Sequence, residues 1–344
     1  MPAHEDGRVV IARAADDDAD PSELFRLATG AGNPEAALRH GIEAALRSRE
    51  SGEAERAVDE ADRALAWWSS GRSPDDLRWA ALHERGMALL DLSHFERAAE
   101  SLEQAASGRF ALGMHDAALA SITSACSAHW SLGRHDAALL CLQGHLDLDR
   151  RTDRPPSAEL AEALTQAAGM AVMTSRFTQA MTLAGDARAV ARRSSAPEGA
   201  TRALIFMGMA ESGLGGRSGL GHLARARREG RRASGAARRN ETLAMIHQSH
   251  VLIAHGRPSA AATVARAGAA RARALGLADH ELVLAGNLGE ALAARGELAE
   301  ARRALEGAAR GWADLGVESP TPADPGLAWV ELAQGDIDGA LRRY

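Results

Sequence analysis

The residues of this chain best suited to chemistry are two cysteines and the histidines beside them. Cys126 with His129, then Cys141 with His145, read C-x2-H and C-x3-H. Thiolates and imidazoles brought together by paired helices are ligands for zinc. Cysteine is also a small apolar residue that packs well between helices, and packing is the reading favoured for Cys126. His247, His250 and His255 do not form the H-E-x-x-H arrangement of a zinc protease. The run Ser212 to Gly219 is glycine-rich like a phosphate cradle, but it lies between two helical patterns with no strand before it, so it reads as a hinge. The densest basic run holds Arg225, Arg227, Arg228, Arg231, Arg232, Arg238 and Arg239. No aromatic residue interleaves it for base stacking, so it reads as a solvated helix face and direct nucleic-acid binding is not expected. Met207, Met209 and Met245 read as core filler. No catalytic residue, metal ligand or cofactor site is assigned, and an enzyme is not expected.

Composition narrows the classes further. The 344 residues carry 40 basic side chains, all of them arginine, against 46 acidic ones, for a net charge of -6. Without a lysine there is no P-loop of the G-x-x-x-x-G-K-[ST] type, no kinase strand lysine and no Schiff-base chemistry. Alanine makes up about 22% of the chain and aromatics 3%. Alanine loses least entropy in a helix, and strand formers are scarce, so the elements are helices. No apolar run approaches the 18 or so residues that cross a bilayer. Two cysteines in so long a chain make no disulfide framework. The first 20 residues are acidic, with Asp16, Asp17, Asp18 and Asp20, and carry no signal peptide pattern. They are expected to be a flexible segment, and the chain to be cytoplasmic.

The helices that must position everything else follow a repeat. A small residue followed five positions later by alanine occurs at Gly52/Ala57, Ser93/Ala98, Gly133/Ala138, Ser175/Ala180, Gly256/Ala261, Gly296/Ala301 and Gly335/Ala340, with Gly215/Leu220 filling the gap. Successive marks are 39 to 42 residues apart. A second set of breakers lies midway, at Gly71/Pro74, Gly113, Pro155/Pro156, Ser194 to Pro197, Gly235, Gly276 and Gly316 to Pro320. Stretches of about 16 residues remain between breakers, each a helix of roughly 24 Å. Glycine suits the left-handed residue that ends a helix, and proline suits the start of the next. Gly86, Gly208 and Gly289 stand seven residues before a mark, where a small residue lets two antiparallel helices approach opposite the small residue five past the turn. A hairpin of this kind cannot bury its apolar stripe alone, so hairpins must stack.

The stretch Asn287 to Ala301 resembles a tetratricopeptide repeat, first helix through turn into second; Asp91 to Ala99 and Leu132 to Ala138 are similar. The period is nearer 40 than 34, and leucine or alanine replaces most of the usual aromatics. The longer unit, with Glu23-Leu24-Phe25 and Gly32 to Arg39, resembles the helical-repeat region of bacterial LuxR-type large ATP-binding transcriptional regulators. The resemblance implies an all-α α-solenoid of about eight antiparallel helix pairs with a period of about 40 residues, wound as a right-handed superhelix over residues 21–344. After Gly335 only Asp336 to Tyr344 remain, so the last repeat reads as incomplete. A fragment, or a split or decayed gene product, is expected over a genuine shortened terminal helix. The Walker lysine and the DNA-binding helix-turn-helix of those regulators are missing.

By the tetratricopeptide pattern the first helix of each pair lines a concave groove. Its positions place His83, Met87, Trp130, Glu162, Arg202, Met209, Ile246, His250 and Glu290 there, with Thr123, Ser127, Thr165 and Ser212 between them. Trp130 is read both as a binding residue and as a packing residue that closes the Gly133 turn. The function implied is regulatory: a protein or peptide partner, or a small-molecule inducer, bound in the groove. The alternative is a free-standing adaptor that holds a peptide or protein.

Overall fold

The computed structural model describes residues 20–68, 74–216, 218–317 and 321–343. The acidic segment expected over residues 1–20 lies outside these, apart from Asp20. Seventeen α-helices are present among the described residues and no strand. The first, α1, is Pro21–Gly30, opened by Asp20 Oδ1 accepting from Ser22 N at 3.0 Å. Eight pairs follow, each joined at one of the eight turn marks: α2 (Pro34–Glu50) with α3 (Ala54–Trp67), α4 (Asp75–Asp91) with α5 (Phe95–Ala111), and α6 (His115–Ser131) with α7 (His135–Asp149). Then come α8 (Ala158–Met173) with α9 (Phe177–Arg193), α10 (Pro197–Gly213) with α11 (Gly219–Arg232), and α12 (Arg239–Ala254) with α13 (Pro258–Ala274). The last are α14 (Ala278–Ala293) with α15 (Leu298–Asp314), and the shorter α16 (Asp324–Ala333) with α17 (Ile337–Arg343). The all-α tetratricopeptide-like solenoid architecture expected from the sequence is the one observed.

The turn marks work through backbone geometry. All eight residues lie in the left-handed region, from φ 58° at Ser93 to 84° at Gly335. At Ser93 the amide of the next residue, His94, donates to the carbonyl of Leu89 at 2.8 Å, and Ser93 N donates to Leu90 O at 2.9 Å. Gly133, Ser175 and Gly296 repeat the pattern. This pair of bonds satisfies carbonyls that the helix end leaves open, and it requires a residue at positive φ. Five residues on, Ala57, Ala98, Ala138, Ala180, Ala261 and Ala301 are fully buried.

Where the paired helices come closest, every residue seven before a mark is small: Ala45, Gly86, Cys126, Ala168, Gly208, Ser249, Gly289 and Ala328. The expected partner changes, however. A Cβ on Gly86 would lie 2.5 Å from Leu102 Cγ, and one on Gly289 would lie 2.5 Å from Leu305 Cγ. A leucine nine residues past the turn therefore fills the space, with the Ala98 carbonyl behind it at 3.3 Å. The alanine five past the turn lets the backbone in, and the leucine supplies the apolar contact.

The chain divides into two compact units, with the boundary between Ala167 and Ala168 inside α8. Within each, helices pack on the next helix and the next but one in order. Among the described residues, buried apolar side chains gather locally between neighbouring helices. One cluster joins Ala57, Leu89, Ala98 and Ala128 in the first unit; another joins Leu292, Leu305, Leu327 and Val330 in the second. Several polar contacts between successive hairpins share an offset of 38 residues, as in His83/Ser121, Glu96/Arg134, Asp116/Arg154, Thr242/His280 and Ser249/Asn287. Two residues short of the period corresponds to a stagger of about 3 Å along the helices.

Candidate functional site

In the first unit a buried arginine on a second helix reaches a serine on the next first helix. Arg109, in the last turn of α5, is 8% exposed. Its Nη1 donates to Ser121 Oγ at 2.7 Å and to Ala117 O at 3.1 Å, while its Nε is buried without a partner. Ser121 Oγ lies 3.1 Å from Nδ1 of His83 on α4. Burial, helped by the charges of Arg109 and Arg49, holds the His83 imidazole down to about 4, so it is neutral at pH 7. Next to it Glu84 pairs with Arg49 at 3.4 Å, and burial raises the carboxyl against the pull of that arginine. On α8, Gln166 Nε2 donates to Thr123 O at 3.1 Å and to Ser127 Oγ at 3.0 Å on α6.

In the second unit the corresponding polar groups are matched. Glu241, at the start of α12, is buried. It accepts from Arg231 Nε at 2.9 Å and from Arg271 Nε at 2.8 Å. Burial pushes its carboxyl up, but these two hydrogen bonds outweigh that and hold it below the ordinary range. Thr242 Oγ1 meets His280 Nδ1 at 2.6 Å, and Asn287 Nδ2 donates to Ile246 O at 3.0 Å and Ser249 Oγ at 2.9 Å.

The nine groove residues named from the sequence have different surroundings. His83 is half-buried and drawn into the Arg109 network. The Trp130 ring lies 4.1 Å from that of His135 across the Gly133 turn, the turn-closing position. Ile246 is buried in a cluster with Met245 and Leu284, and Met209 packs against Leu204, Ile205 and Leu223. Met87, Glu162 and Arg202 are half-buried on α4, α8 and α10. His250 is exposed, and Glu290 is half-buried one repeat later at the same register. Glu290 has no hydrogen-bond or ion-pair partner among the described residues. Burial raises its carboxyl, with the charge of His250 drawing it back.

Sequence reading missed Arg109, Ser121, Gln166, Glu241 and Asn287. The 38-residue offset finds two of them, Ser121 with His83 and Asn287 with Ser249; Arg109, Gln166 and Glu241 meet partners at other separations and carry no such signal. The cysteine–histidine set resolves differently from a zinc site: among the described residues no three His, Cys, Asp or Glu are grouped to hold a metal. Cys126 takes the small-residue place and donates from Sγ to Ala138 O at 3.2 Å. Within the arginine run, Arg225 pairs with Glu229 at 2.9 Å, Arg231 with Glu241, and Arg239 with Asp279 at 3.7 Å. Of the glycine-rich run, Gly213 backs onto the Phe177 ring and Gly219 onto Gly208 O, so both serve close packing. No helix among the described residues is long and apolar enough to cross a membrane.

No protein-family model and no curated protein sequence matches the chain. Solved structures do resemble it. A tetratricopeptide repeat protein from Parabacteroides merdae is 14% identical with a TM-score of 0.61, over 85% of this chain and 98% of that one. The apo form of the quorum sensor NprR from B. thuringiensis is 12% identical with a TM-score of 0.60, over 98% and 94%. A signal transduction ATPase with a tetratricopeptide repeat sensor from Pyrococcus horikoshii is 12% identical with a TM-score of 0.55, over 94% of this chain and 53% of that one. At such identities the likeness is one of fold: an array of tetratricopeptide-like hairpins.

Proposed function

We propose that the chain is a non-enzymatic, cytoplasmic regulatory repeat domain that takes a protein or peptide segment, or a small inducer, on the face formed by the first helices of its hairpins. The observation that carries this is Glu290. Burial raises this carboxyl, no described side chain donates to it, and its oxygens stay open to a ligand or to water. A cationic group on a ligand, an arginine or an amine, supplies the missing donor, and His250 one repeat away offers a second polar contact. Binding that differs between two arrangements of neighbouring hairpins then shifts their populations.

The finer reading is a sensing region that belongs to, or derives from, a LuxR-type transcriptional regulator. The Pyrococcus ATPase supports such an arrangement, since its repeats are named as a sensor and make up part of a longer chain. NprR, matched over 94% of its length, supports the alternative of a free-standing binder. Reading frames for a P-loop module upstream and a helix-turn-helix downstream would favour the first.

The test is paired capture from a host extract, with the wild-type chain and Glu290→Gln as baits and mass spectrometry for proteins and small molecules. A ligand retained by the wild type and depleted about tenfold from the variant, as loss of one charge-assisted bond predicts, supports the proposal. Equal recovery on both baits refutes the role of Glu290.

A further inference from the structure

Two large apolar side chains stand open on the first helix of the last hairpin. Trp329 is 48% exposed and Leu332 is 55% exposed, one turn apart on α16. Trp329 lies six residues before Gly335, the place that Glu290 holds before Gly296 and His250 before Gly256. It is the only exposed one of the six tryptophans. Other indoles carry a partner. The Arg78 guanidinium lies over Trp68 at 4.2 Å and over Trp79 at 4.6 Å, and Trp130 meets His135. Among the described residues no cation or ring lies over Trp329.

Packing brings Glu290 beside it. A Cβ on Gly326 would lie 3.5 Å from Glu290 Cγ, so the stem of the acid rests against α16 at a residue that has no side chain. Trp329 follows Gly326 by three residues, on the same side of the helix and about 5 to 6 Å further along. On α14, a Cβ on Gly286, one turn before Glu290, would meet nothing within 4 Å, so the strip leading to the carboxyl is open. We propose, resting on the reading of this face as a binding surface, that Glu290 and Trp329 together seat an arginine side chain of an extended peptide. Leu332 then takes an apolar side chain two positions away in that peptide.

The chemistry selects a guanidinium over an ammonium. The Glu290 carboxylate can accept two parallel N–H bonds from the planar fork. The same plane stacks on an open indole, as Arg78 does on two indoles of this chain. A lysine ammonium offers a point charge without the fork or the stacking plane. A neutral isostere leaves the carboxylate without its charged donor. In an extended segment, side chains two apart point the same way at about 6.7 Å, close to the one turn that separates Trp329 from Leu332.

In the experiment the full chain carries 5-fluorotryptophan, and Trp329→Phe assigns the Trp329 fluorine signal. The probe is a blocked peptide with arginine and leucine two positions apart; matched peptides carry lysine or citrulline in place of arginine. The arginine peptide is expected to shift the Trp329 signal, with half-saturation at roughly 1 to 10 mM. The other tryptophan signals are expected to stay put and report an intact fold. Lysine is expected to bind about threefold more weakly and citrulline about tenfold. Glu290→Gln is expected to erase the preference for arginine over citrulline. No shift at Trp329 by about 10 mM, equal binding of citrulline, or an arginine preference that survives Glu290→Gln overturns the proposal. Trp329→Leu, added as a bait to the paired capture, separates this proposal from the reading beneath it. A ligand depleted from Glu290→Gln and about fivefold from Trp329→Leu supports the arginine seat. A ligand lost from Glu290→Gln but kept on Trp329→Leu overturns the seat alone, and equal recovery on all baits overturns both.

Discussion

Arg109 in the first unit and Glu241 in the second are both buried ions inside helix hairpins, and the two are handled in opposite ways. Glu241 lies between two arginines. Arg109 meets a hydroxyl and a backbone carbonyl, with the neutral His83 imidazole beyond that hydroxyl and Glu84 acting only at a distance. Removing a partner from a matched buried ion strands a charge, whereas removing an unmatched ion relieves one. The same hairpin scaffold thus carries a polar group that holds the second unit together and one that the first unit tolerates.

The largest test of that contrast replaces both partners of Glu241. Arg231→Met with Arg271→Met is expected to destabilise the protein by about 3 kcal/mol in urea unfolding at pH 7, because the stranded carboxylate must protonate or stay uncompensated. Acid comes next. His83 sits near 4 in the folded chain and near 6.5 unfolded, so the unfolded state binds the proton first. Its effect on stability is absent above pH 7. Stability falls as pH drops from about 6.5 to about 4, by roughly 3 kcal/mol. His83→Gln is expected to remove that share of the loss, leaving the share from His247, which burial and the neighbouring His250 and His280 also hold at about 4. Arg109→Met is expected to change stability by less than about 1 kcal/mol and to move the His83 midpoint upward in an NMR titration. A loss of several kcal/mol would show that Arg109 is matched after all. The smallest effect should be common to both units. Ser93→Gly and Ser175→Gly each relieve a left-handed serine and are expected to raise stability by about 0.5 kcal/mol.

Those serines also show what could be read in advance. The turn marks were legible because a left-handed residue restricts the choice to glycine and a few others, and that restriction repeats every hairpin. Buried alanines followed from the same register. The partner of Gly86 did not: spacing shows that something small is needed and leaves open whether a neighbouring alanine or a leucine one turn further fills the gap. Candidate groove residues were legible as positions but not as roles. Ile246 and Trp130 share a pattern with His250 and Glu290, and only the packing of adjacent hairpins sends the first two into a core cluster and a turn. Arg109 and Glu241 gave no local sign, since a buried ion is defined by helices distant in sequence.

The packing of each hairpin on its neighbours in order has a mechanical corollary. Because the helices of a hairpin pack on the next and the next but one in order, one hairpin can let go while those beyond its neighbours keep their own contacts. A molecule drawn out by its two ends should lengthen in a staircase, each tread releasing one repeat, roughly 130 Å of extended chain. A single abrupt rupture would mean that the hairpins act in concert.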